Sequence, residues 1–536
     1  MKATRELTGG YGAILTAMLA LLTYALALHN GFAFDDVELI PNDPRVTQGQ
    51  VGMLLSTSYW NNPELSLYRP LTSVSFALDW FVSNGSAAWF HFTNIVWHVL
   101  ASTLVYALLL RYFTVVAALI GAAIFAVHPV HVEAVANVVG RGELIASTFV
   151  LLACVLWPRI TVRLARALII AVLYFLAMCA KEGAAVLPAL LVLIDFADGE
   201  WSRRDLLPYL RRRAWEFVAL IAVFALFMVI RMSILGRVGP SRLDPSLEVV
   251  TSDWHRILTA LQAWPLALKV LLFPATLLAD YGPRVLLPIA EWNSQAILGA
   301  TIVLALVGGG TAALVMGHRQ TALGLLWYPV TILPVSNFLL PIGVLLAERT
   351  LYLPSVAISF GAAALFGWLR TRVSSRRLTN ALAVVIIAAL AVRSAVRVPE
   401  WSSTDRILLT LVRDRPEAFR GHWHAARVWR SRGQVSRAMQ EYREAMRLWP
   451  YRQGVIQEVA VYASAHGQAT LARDVAFFGA TRWPQNPVFH RIVAGNALDL
   501  GDTTTAVRAL RSGLKLHPND TIMNAMWRAA APGQTP

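Results

Sequence analysis

Long apolar stretches alternate with short polar segments over the first 398 residues of the chain. About 20 apolar residues, within a range of about 17–25, form a helix that crosses the hydrocarbon core of a bilayer. The pattern therefore predicts an all-α, multi-pass membrane domain with about eleven spans. The predicted spans are 10–29, 92–110, 113–128, 143–158, 162–180, 183–197, 214–234, 295–316, 321–336, 350–369 and 379–397.

The stretch 257–276 decides the predicted topology, because it is apolar but also contains prolines and polar residues. Arginine-rich loops stay on the cytoplasmic side of a membrane. With a cytoplasmic N-terminus, eleven spans keep four arginine clusters inside, at 159–166, 203–204, 211–213 and 370–377. We therefore interpret 257–276 as an interfacial or re-entrant helix and 10–29 as a retained anchor. The C-terminal part then lies on the extracytoplasmic side of an inner or plasma membrane.

The C-terminal part carries a repeat of 34 residues. The step recurs in three sets of residues: Pro416, Pro450, Pro484 and Pro518; Gly433, Gly467 and Gly501; and Ala438, Ala472 and Ala506. Glycine turns the chain between two helices, small residues allow the helices to cross closely, and proline ends the second helix. This period is typical of tetratricopeptide repeats. We predict about three repeats and a cap over 416–536, after a membrane domain 1–398 and a linker 399–415. Such repeats either recognise peptides or proteins, or only brace the membrane domain.

Composition excludes a purely soluble or disordered protein. Hydrophobic residues make up 56% of the chain and charged residues only 15%, whereas soluble chains have about 25% charged residues. The net charge of +15 comes from dispersed arginines, and no basic run is longer than Arg211–Arg213, so no nucleic-acid partner is predicted. The two cysteines, Cys154 and Cys179, lie in apolar stretches, which excludes a disulfide framework.

Two adjacent carboxylates, Asp35 and Asp36, follow the first predicted span by a few residues. Carboxylates at a membrane boundary are costly when they are buried. They could serve as a general base or as ligands of a divalent cation. The structural alternative is a helix cap or a solvated turn.

Further ionisable and aromatic residues collect at the same set of span ends. These candidate substrate-binding residues are Arg69, His91, His128, His131, Glu133, Arg141, Lys181, Glu182, Glu348, Arg349 and Tyr352. The arginine fork matches phosphate oxygens, and ionisable residues within a membrane indicate function. The alternatives are polar groups that satisfy neighbouring helices, a lysine that reaches water, and a Glu348–Arg349 pair. Together the residues predict a site where an anionic lipid head group meets a polar acceptor.

The motifs also occur in a known order along the chain. They are Phe34-Asp35-Asp36, Tyr68-Arg69-Pro70-Leu71, His91 with Asn94 and His98, His128-Pro129 with His131 and Glu133, Gly140-Arg141, Lys181-Glu182, and Glu348-Arg349 with Tyr352-Leu353-Pro354-Ser355. In this order they resemble the transmembrane and tetratricopeptide-repeat-containing (TMTC) O-mannosyltransferases and their bacterial relatives. The resemblance runs from about residue 10 to the C-terminus and implies a GT-C fold. The arginine-rich composition and the compact size favour a bacterial member.

The resemblance implies a glycosyltransferase that uses a polyprenyl-phosphate sugar. In animal members the sugar is mannose and the acceptor is Ser or Thr of a protein. By this resemblance Asp35 and Asp36 are the catalytic carboxylates, one as the base and the other as an orienting group or a ligand of a divalent cation. Arg69, Lys181 and Arg349 are predicted to bind the phosphate, and the histidines to bind sugar hydroxyls or phosphate. The predicted partners are the lipid-linked sugar, membrane lipid, and a protein or peptide acceptor held by the repeats.

Three other functions remain open at this stage. The first is a non-catalytic membrane scaffold whose repeats recruit protein partners. The second is a transporter, which is disfavoured because the predicted spans are mostly apolar inside. The third is an enzyme of the same fold that modifies a glycan or a lipid.

Overall fold

The structure is a computed structural model that describes residues 2–61, 67–202, 205–237, 247, 249–250 and 252–534, with the side chains of residues 2–9 left out. Over these residues the fold is all-α, as predicted, and no strand is present. The chain divides into two compact units, residues 1–282 with 286–407, and residues 283–285 with 408–536. Arg203 and Arg204, which entered the topology prediction, lie outside the described residues.

The larger unit is built from long helices joined by short helices and turns. Its helices are α1 Lys2–Tyr24, α2 Asp35–Leu39, α3 Pro44–Thr47, α4 Val51–Ser56, α5 Pro70–Ser83, α6 Ala87–Leu109, α7 Val115–Val127, α8 Val132–Ala136, α9 Arg141–Leu156, α10 Arg163–Ala180, α11 Leu187–Asp198, α12 Leu206–Arg212, α13 Ala214–Leu235, α14 Asp253–Leu261, α15 Ala263–Leu272, α16 Ser294–Met316, α17 Arg319–Ile332, α18 Val356–Arg372 and α19 Arg376–Arg397. The 3-10 turns of this unit include Val138–Gly140, Glu182–Val186 and Glu348–Leu351.

Seven segments of the described chain are long and apolar enough to cross a membrane. They are Gly10–His29, Ala87–Leu109, Val138–Leu156, Arg163–Ala180, Ala214–Leu235, Ser294–Met316 and Arg376–Ser402. The helix α7 and the segment Pro129–Ala136 pass the same test only together and are bent by 42°, as in a broken span or a re-entrant loop.

Over the described residues, helix length and composition therefore support seven or eight of the eleven spans predicted from the sequence. The stretches 183–197, 321–336 and 350–369 form helices of only 12, 14 and 17 residues. At 1.5 Å per residue the first two helices are shorter than the roughly 30 Å hydrocarbon core, and the third lies at the lower limit of the spanning range. Residues 257–276 fall in α14 and α15, of 9 and 10 residues, which are likewise too short to span. Because sidedness follows from the number of spans, the side of the C-terminal unit stays a prediction.

The segment around α9 forms the centre of the larger unit. Its apolar window is 83% buried, whereas those of α13 and α16 are 17% buried. A helix that is apolar all round and exposed on most of its surface faces lipid in a membrane protein. Close helix packing relies on small residues: a Cβ on Gly121 of α7 would lie 2.5 Å from the Ser359 carbonyl oxygen of α18.

The smaller unit is a stack of helix pairs with the predicted period. Its helices are α20 Thr404–Asp414, which contains the boundary between the units, α21 Phe419–Ser431, α22 Val435–Leu448, α23 Gln453–Ala465, α24 Ala469–Arg482, α25 Pro487–Asp499, α26 Thr503–Leu516 and α27 Thr521–Ala530. The first helices of the three pairs begin 34 residues apart, at Phe419, Gln453 and Pro487. The segment 399–415, predicted as a linker, is itself largely helical, because it includes α20.

The repeat markers have the roles that the sequence predicted for them. Gly433, Gly467 and Gly501 have φ values of 71°, 68° and 76° in the turns between paired helices. Glycine adopts this left-handed backbone without the cost of a side chain. A Cβ on Gly479 would lie 2.4 Å from a ring carbon of Phe489, so a small residue is required at that helix crossing.

Candidate functional site

Asp36 organises the loop that follows the first span. The residue is buried, and its carboxylate accepts hydrogen bonds from the backbone N–H groups of Ala33, Val138 and Val139 at 3.2, 3.2 and 2.8 Å. Burial raises the pKa of Asp36 to about 7, against the effect of these hydrogen bonds. Asp36 therefore joins α2 to the turn Val138–Gly140, about 100 residues away in the chain.

Asp35 differs from its neighbour because 23% of its side chain is exposed. The Arg349 Nη1 atom lies 3.7 Å from Asp35 Oδ2 and 3.2 Å from Glu133 Oε1. The backbone N–H of Arg349 also donates to Glu133 Oε2 at 2.9 Å. Burial lowers the pKa of Arg349, but the carboxylates of Glu133 and Asp35 outweigh it and raise that pKa. The guanidinium therefore stays charged beside a carboxylate that solvent can reach.

Glu182 holds two arginines from different elements. Its Oε2 lies 3.1 Å from Arg69 Nη2, at the start of α5, and its Oε1 lies 3.0 Å from Arg231 Nη1 of α13. Burial opposes ionisation of Glu182, but the charges of Arg69 and Arg231 lower its pKa to about 2. The side chains of Glu182 and Arg69 are 29% and 17% exposed, so solvent can reach this ion pair.

Lys181 forms a buried ion pair with Glu143 of α9. Burial lowers the pKa of Lys181, and the like charges of Arg69 and Arg349 lower it further, although Glu143 raises it. Arg69 and Arg349 are thus close enough to Lys181 for their charges to act on it, as would be expected of residues that bind one phosphate together. The Lys181–Glu143 pair also lines a cavity of about 20 Å³, which is large enough for about one water molecule.

The predicted histidines and Tyr352 are buried in helix packing instead. His91, His128, His131 and Tyr352 are each at most 2% exposed. Their polar atoms lie within hydrogen-bond distance of Gly31 O, Leu271 O, Ser355 Oγ and His98 Nδ1, at 3.2, 2.9, 2.8 and 2.7 Å respectively. These contacts tie together α6, α7, α15 and the start of α18, whereas the Nδ1 atoms of His91 and His131 have no partner among the described residues. The four side chains lie within the helix packing, and their role in substrate binding stays a prediction.

Arg141 is also enclosed by the fold. Its guanidinium pairs with Asp79 and donates to Asn94 Oδ1, Phe90 O and Thr93 Oγ1 at 2.8, 2.9 and 2.6 Å. The side chain is 1% exposed. Arg141 therefore joins α5, α6 and α9 rather than lining an accessible surface.

Glu348 and Arg349 belong to different ion-pair networks. Glu348 is buried, lies 3.1 Å from Arg397 of α19, and accepts a hydrogen bond from the Tyr281 hydroxyl at 2.8 Å. Arg349 instead contacts Glu133 and Asp35, as described above. The alternative in which the two neighbours pair with each other is therefore wrong.

Comparisons with known proteins place this geometry in context. No protein-family model matches the chain. The protein O-mannosyl-transferase F38B6.6 of Caenorhabditis elegans is 25% identical over 452 residues, which cover 82% of this chain and 62% of that protein. The human protein O-mannosyl-transferases TMTC4 and TMTC3 are 26% and 23% identical and match 80% and 81% of this chain, and 65% and 50% of their own lengths. The chain resembles the TMTC protein O-mannosyl-transferases.

The resemblance to these TMTC proteins covers most of this chain, although the chain spans only 50–65% of the length of those three relatives. Among solved structures, an oligosaccharyltransferase of Archaeoglobus fulgidus matches 74% of this chain and 55% of its own, at 15% identity and a TM-score of 0.40. With its apolar helices, the TMTC-like chain is a multi-pass membrane protein. These relatives come from animals, so the bacterial origin stays a prediction.

The acidic pair does not fit a metal site in the described part of this TMTC-like chain. No group of three or more His, Cys, Asp or Glu residues there could hold an ion. Both Asp36 oxygens already accept backbone hydrogen bonds. A divalent cation at Asp35 and Asp36 therefore has no ready set of protein ligands, and we assign it no step.

Three residues that contact the predicted site residues Lys181, Glu182 and Arg69 were not predicted from the sequence. Glu143 lies two residues after Arg141, just beyond the Gly140-Arg141 motif. Arg231 is a charged residue near the end of an apolar span, which is itself an indication of function. Tyr59 carries no comparable signal and was revealed only by the fold.

Proposed function

We propose that this protein is a membrane glycosyltransferase. It moves a mannose-like sugar from a polyprenyl-phosphate carrier to a hydroxyl, such as that of Ser or Thr in a protein, on the extracytoplasmic face. The names of the TMTC relatives support the reaction class. The observation that carries the proposal is Arg349, which lies between the partly exposed Asp35 and the buried Glu133.

The reaction needs a base and a stabilised leaving group. The acceptor oxygen attacks the anomeric carbon while the bond from that carbon to the phosphate oxygen breaks, and the phosphate leaves with the electron pair. Asp35 takes the proton of the acceptor hydroxyl, because it is the more exposed of the two aspartates. Arg349, Arg69 and Lys181 offset the charge of the departing phosphate.

The two aspartates divide the work in this mechanism. Asp36 keeps α2 and the turn Val138–Gly140 together through its three hydrogen bonds, and so orients Asp35. A single displacement inverts the configuration at the anomeric carbon. A product with retained configuration would contradict this mechanism.

The repeats supply the proposed binding surface for the acceptor protein. Their stacked helix pairs have the architecture that other repeat proteins use to bind extended partners. A reporter fused after the C-terminus tests the proposed side of the membrane. A cytoplasmic reporter would contradict the extracytoplasmic assignment.

The proposed activity can be tested with purified protein in lipid nanodiscs. A panel of radiolabelled polyprenyl-phosphate sugars is supplied together with secreted protein as acceptor. We expect transfer with one donor and a loss of about 10²–10⁴-fold in Asp35→Asn. The matched control is Asp253→Asn, which changes an exposed carboxylate paired with Arg256 on α14.

Other outcomes lead to different conclusions. Equal transfer by wild type and Asp35→Asn would remove that carboxylate from the mechanism. Absence of transfer with every donor, together with a protein partner that is retained by the repeats, would favour the scaffold function.

A further inference from the structure

Tyr59 lies in the loop between α4 and α5, and its backbone is held on both sides. Its N–H donates to the Leu67 carbonyl at 2.6 Å, and its own carbonyl accepts from Arg45 Nη2 at 3.1 Å. Arg45 is itself buried in an ion pair with Asp43. The position of the Tyr59 ring is therefore determined by the fold.

The hydroxyl of Tyr59 has no hydrogen-bond partner among the described residues, although the side chain is only 4% exposed. Burying a hydroxyl without a partner costs free energy, and such groups in native structures call for an explanation. Tyr106 and Tyr328 also have hydroxyls without a partner in the described part of the chain, whereas two other buried tyrosines are paired. The Tyr68 hydroxyl donates to the Leu55 carbonyl at 2.8 Å, and the Tyr281 hydroxyl donates to Glu348.

The Tyr59 side chain lies beside the charged residues Arg69, Asp35 and Arg349. The Arg69 guanidinium carbon lies 5.3 Å from the centre of the Tyr59 ring. Burial raises the pKa of the Tyr59 phenol far above its ordinary value; the charge of Asp35 raises it as well, and the charges of Arg69 and Arg349 lower it. The phenol therefore stays protonated and can donate one hydrogen bond.

We propose that the Tyr59 hydroxyl donates a hydrogen bond to a phosphate oxygen of the polyprenyl-phosphate donor, beside Arg69 and Arg349. The proposal rests on the proposed function. An anionic phosphate oxygen fits this place because two arginines attract it while the neutral hydroxyl adds a bond without adding charge. The missing partner of Tyr59 is then supplied by the substrate.

The test measures binding and needs no acceptor. Farnesyl phosphate and farnesol are titrated into wild type, Tyr59→Phe and Tyr68→Phe in nanodiscs, and tryptophan fluorescence reports the bound fraction. We expect the Kd of Tyr59→Phe for farnesyl phosphate to rise by about 10-fold or more, because a hydrogen bond to a charged group is lost. The Kd for farnesol should be unchanged, and Tyr68→Phe should bind both lipids like wild type.

Melting temperatures distinguish a substrate contact from a packing role. Tyr59→Phe removes an unsatisfied hydroxyl and should melt at the wild-type temperature or above it. Tyr68→Phe loses an existing hydrogen bond and should melt lower.

The results separate this proposal from the proposed function. If Tyr59→Phe binds farnesyl phosphate like wild type, while Asp35→Asn still abolishes sugar transfer, only the role of Tyr59 is overturned. If wild type binds farnesyl phosphate no more tightly than farnesol, the role of Tyr59 and the phosphate-linked donor both fail.

Discussion

Replacement of Arg141 by lysine separates a structural ion pair from a contact with substrate. The Arg141 guanidinium pairs with Asp79 and donates to three further acceptors on α6. A lysine ammonium that stays with Asp79 removes the bonds to Asn94 Oδ1 and Thr93 Oγ1, while the Phe90 carbonyl still accepts from the Thr93 hydroxyl. Each buried group left without its partner costs about 1–3 kcal/mol, so the loss of two such bonds should cost about 2–6 kcal/mol in total. This loss is a large share of the roughly 5–15 kcal/mol by which proteins are stable.

The assay is thermal unfolding in detergent at one fixed scan rate, because unfolding of membrane proteins is often irreversible. Arg141→Lys should melt well below wild type, while the protein that remains folded at low temperature transfers sugar normally. The matched control is Arg111→Lys, which changes a 39% exposed arginine paired with Asp198 and should cost about 0–1 kcal/mol. If Arg141→Lys melts like wild type but loses transfer, Arg141 contacts the substrate and the packing assignment is wrong.

Further predictions concern the site and the repeats. The raised pKa of Asp36 means that its neutral form stabilises the fold at low pH and that this contribution disappears as the pH rises through about 7. The melting temperature should therefore fall as the pH rises from about 4 to about 7 and level off above that, and Asp36→Asn should flatten that dependence; an unchanged slope would refute the assignment. Arg349→Lys loses the planar guanidinium fork that matches phosphate oxygens, so the initial transfer rate should fall by about 10-fold or more, and an unaltered rate would exclude its role at the phosphate. In the full chain, Gly467→Ala should destabilise the repeats by about 1 kcal/mol through its left-handed backbone, whereas Gly479→Ala should cost about 1–3 kcal/mol by overpacking against Phe489. Chemical denaturation followed by circular dichroism measures both losses of stability, and a larger loss for Gly467→Ala than for Gly479→Ala would contradict this prediction.

The repeats could be predicted from the sequence because the residues that mark them are selected by their immediate surroundings in the chain. Gly467 needs a left-handed backbone, and Gly479 lies where two helices cross, so each residue type follows from a constraint within one or two helical turns. The apolar stretches are local as well, since composition alone identifies them. The number of spans is different. Short helices such as α11 and α17 are apolar because they are packed inside the protein, and only the structure reveals their length.

The candidate site could be predicted only as a set of motifs, which the family resemblance brought together. Asp35 and Asp36 are chemically identical neighbours in the sequence, but the turn Val138–Gly140 buries one of them and leaves the other partly exposed. Arg349 likewise selects Glu133 rather than the adjacent Glu348.

The sequence by itself therefore determined the class of elements, the 34-residue repeat and the set of polar motifs, because each depends on periodicity or composition within short stretches. Only the tertiary structure decided which of those polar residues pack helices together and which reach an accessible surface. The partners of Asp36 and Arg141 are supplied by segments distant in the chain, and burial and hydrogen bonding depend on those partners.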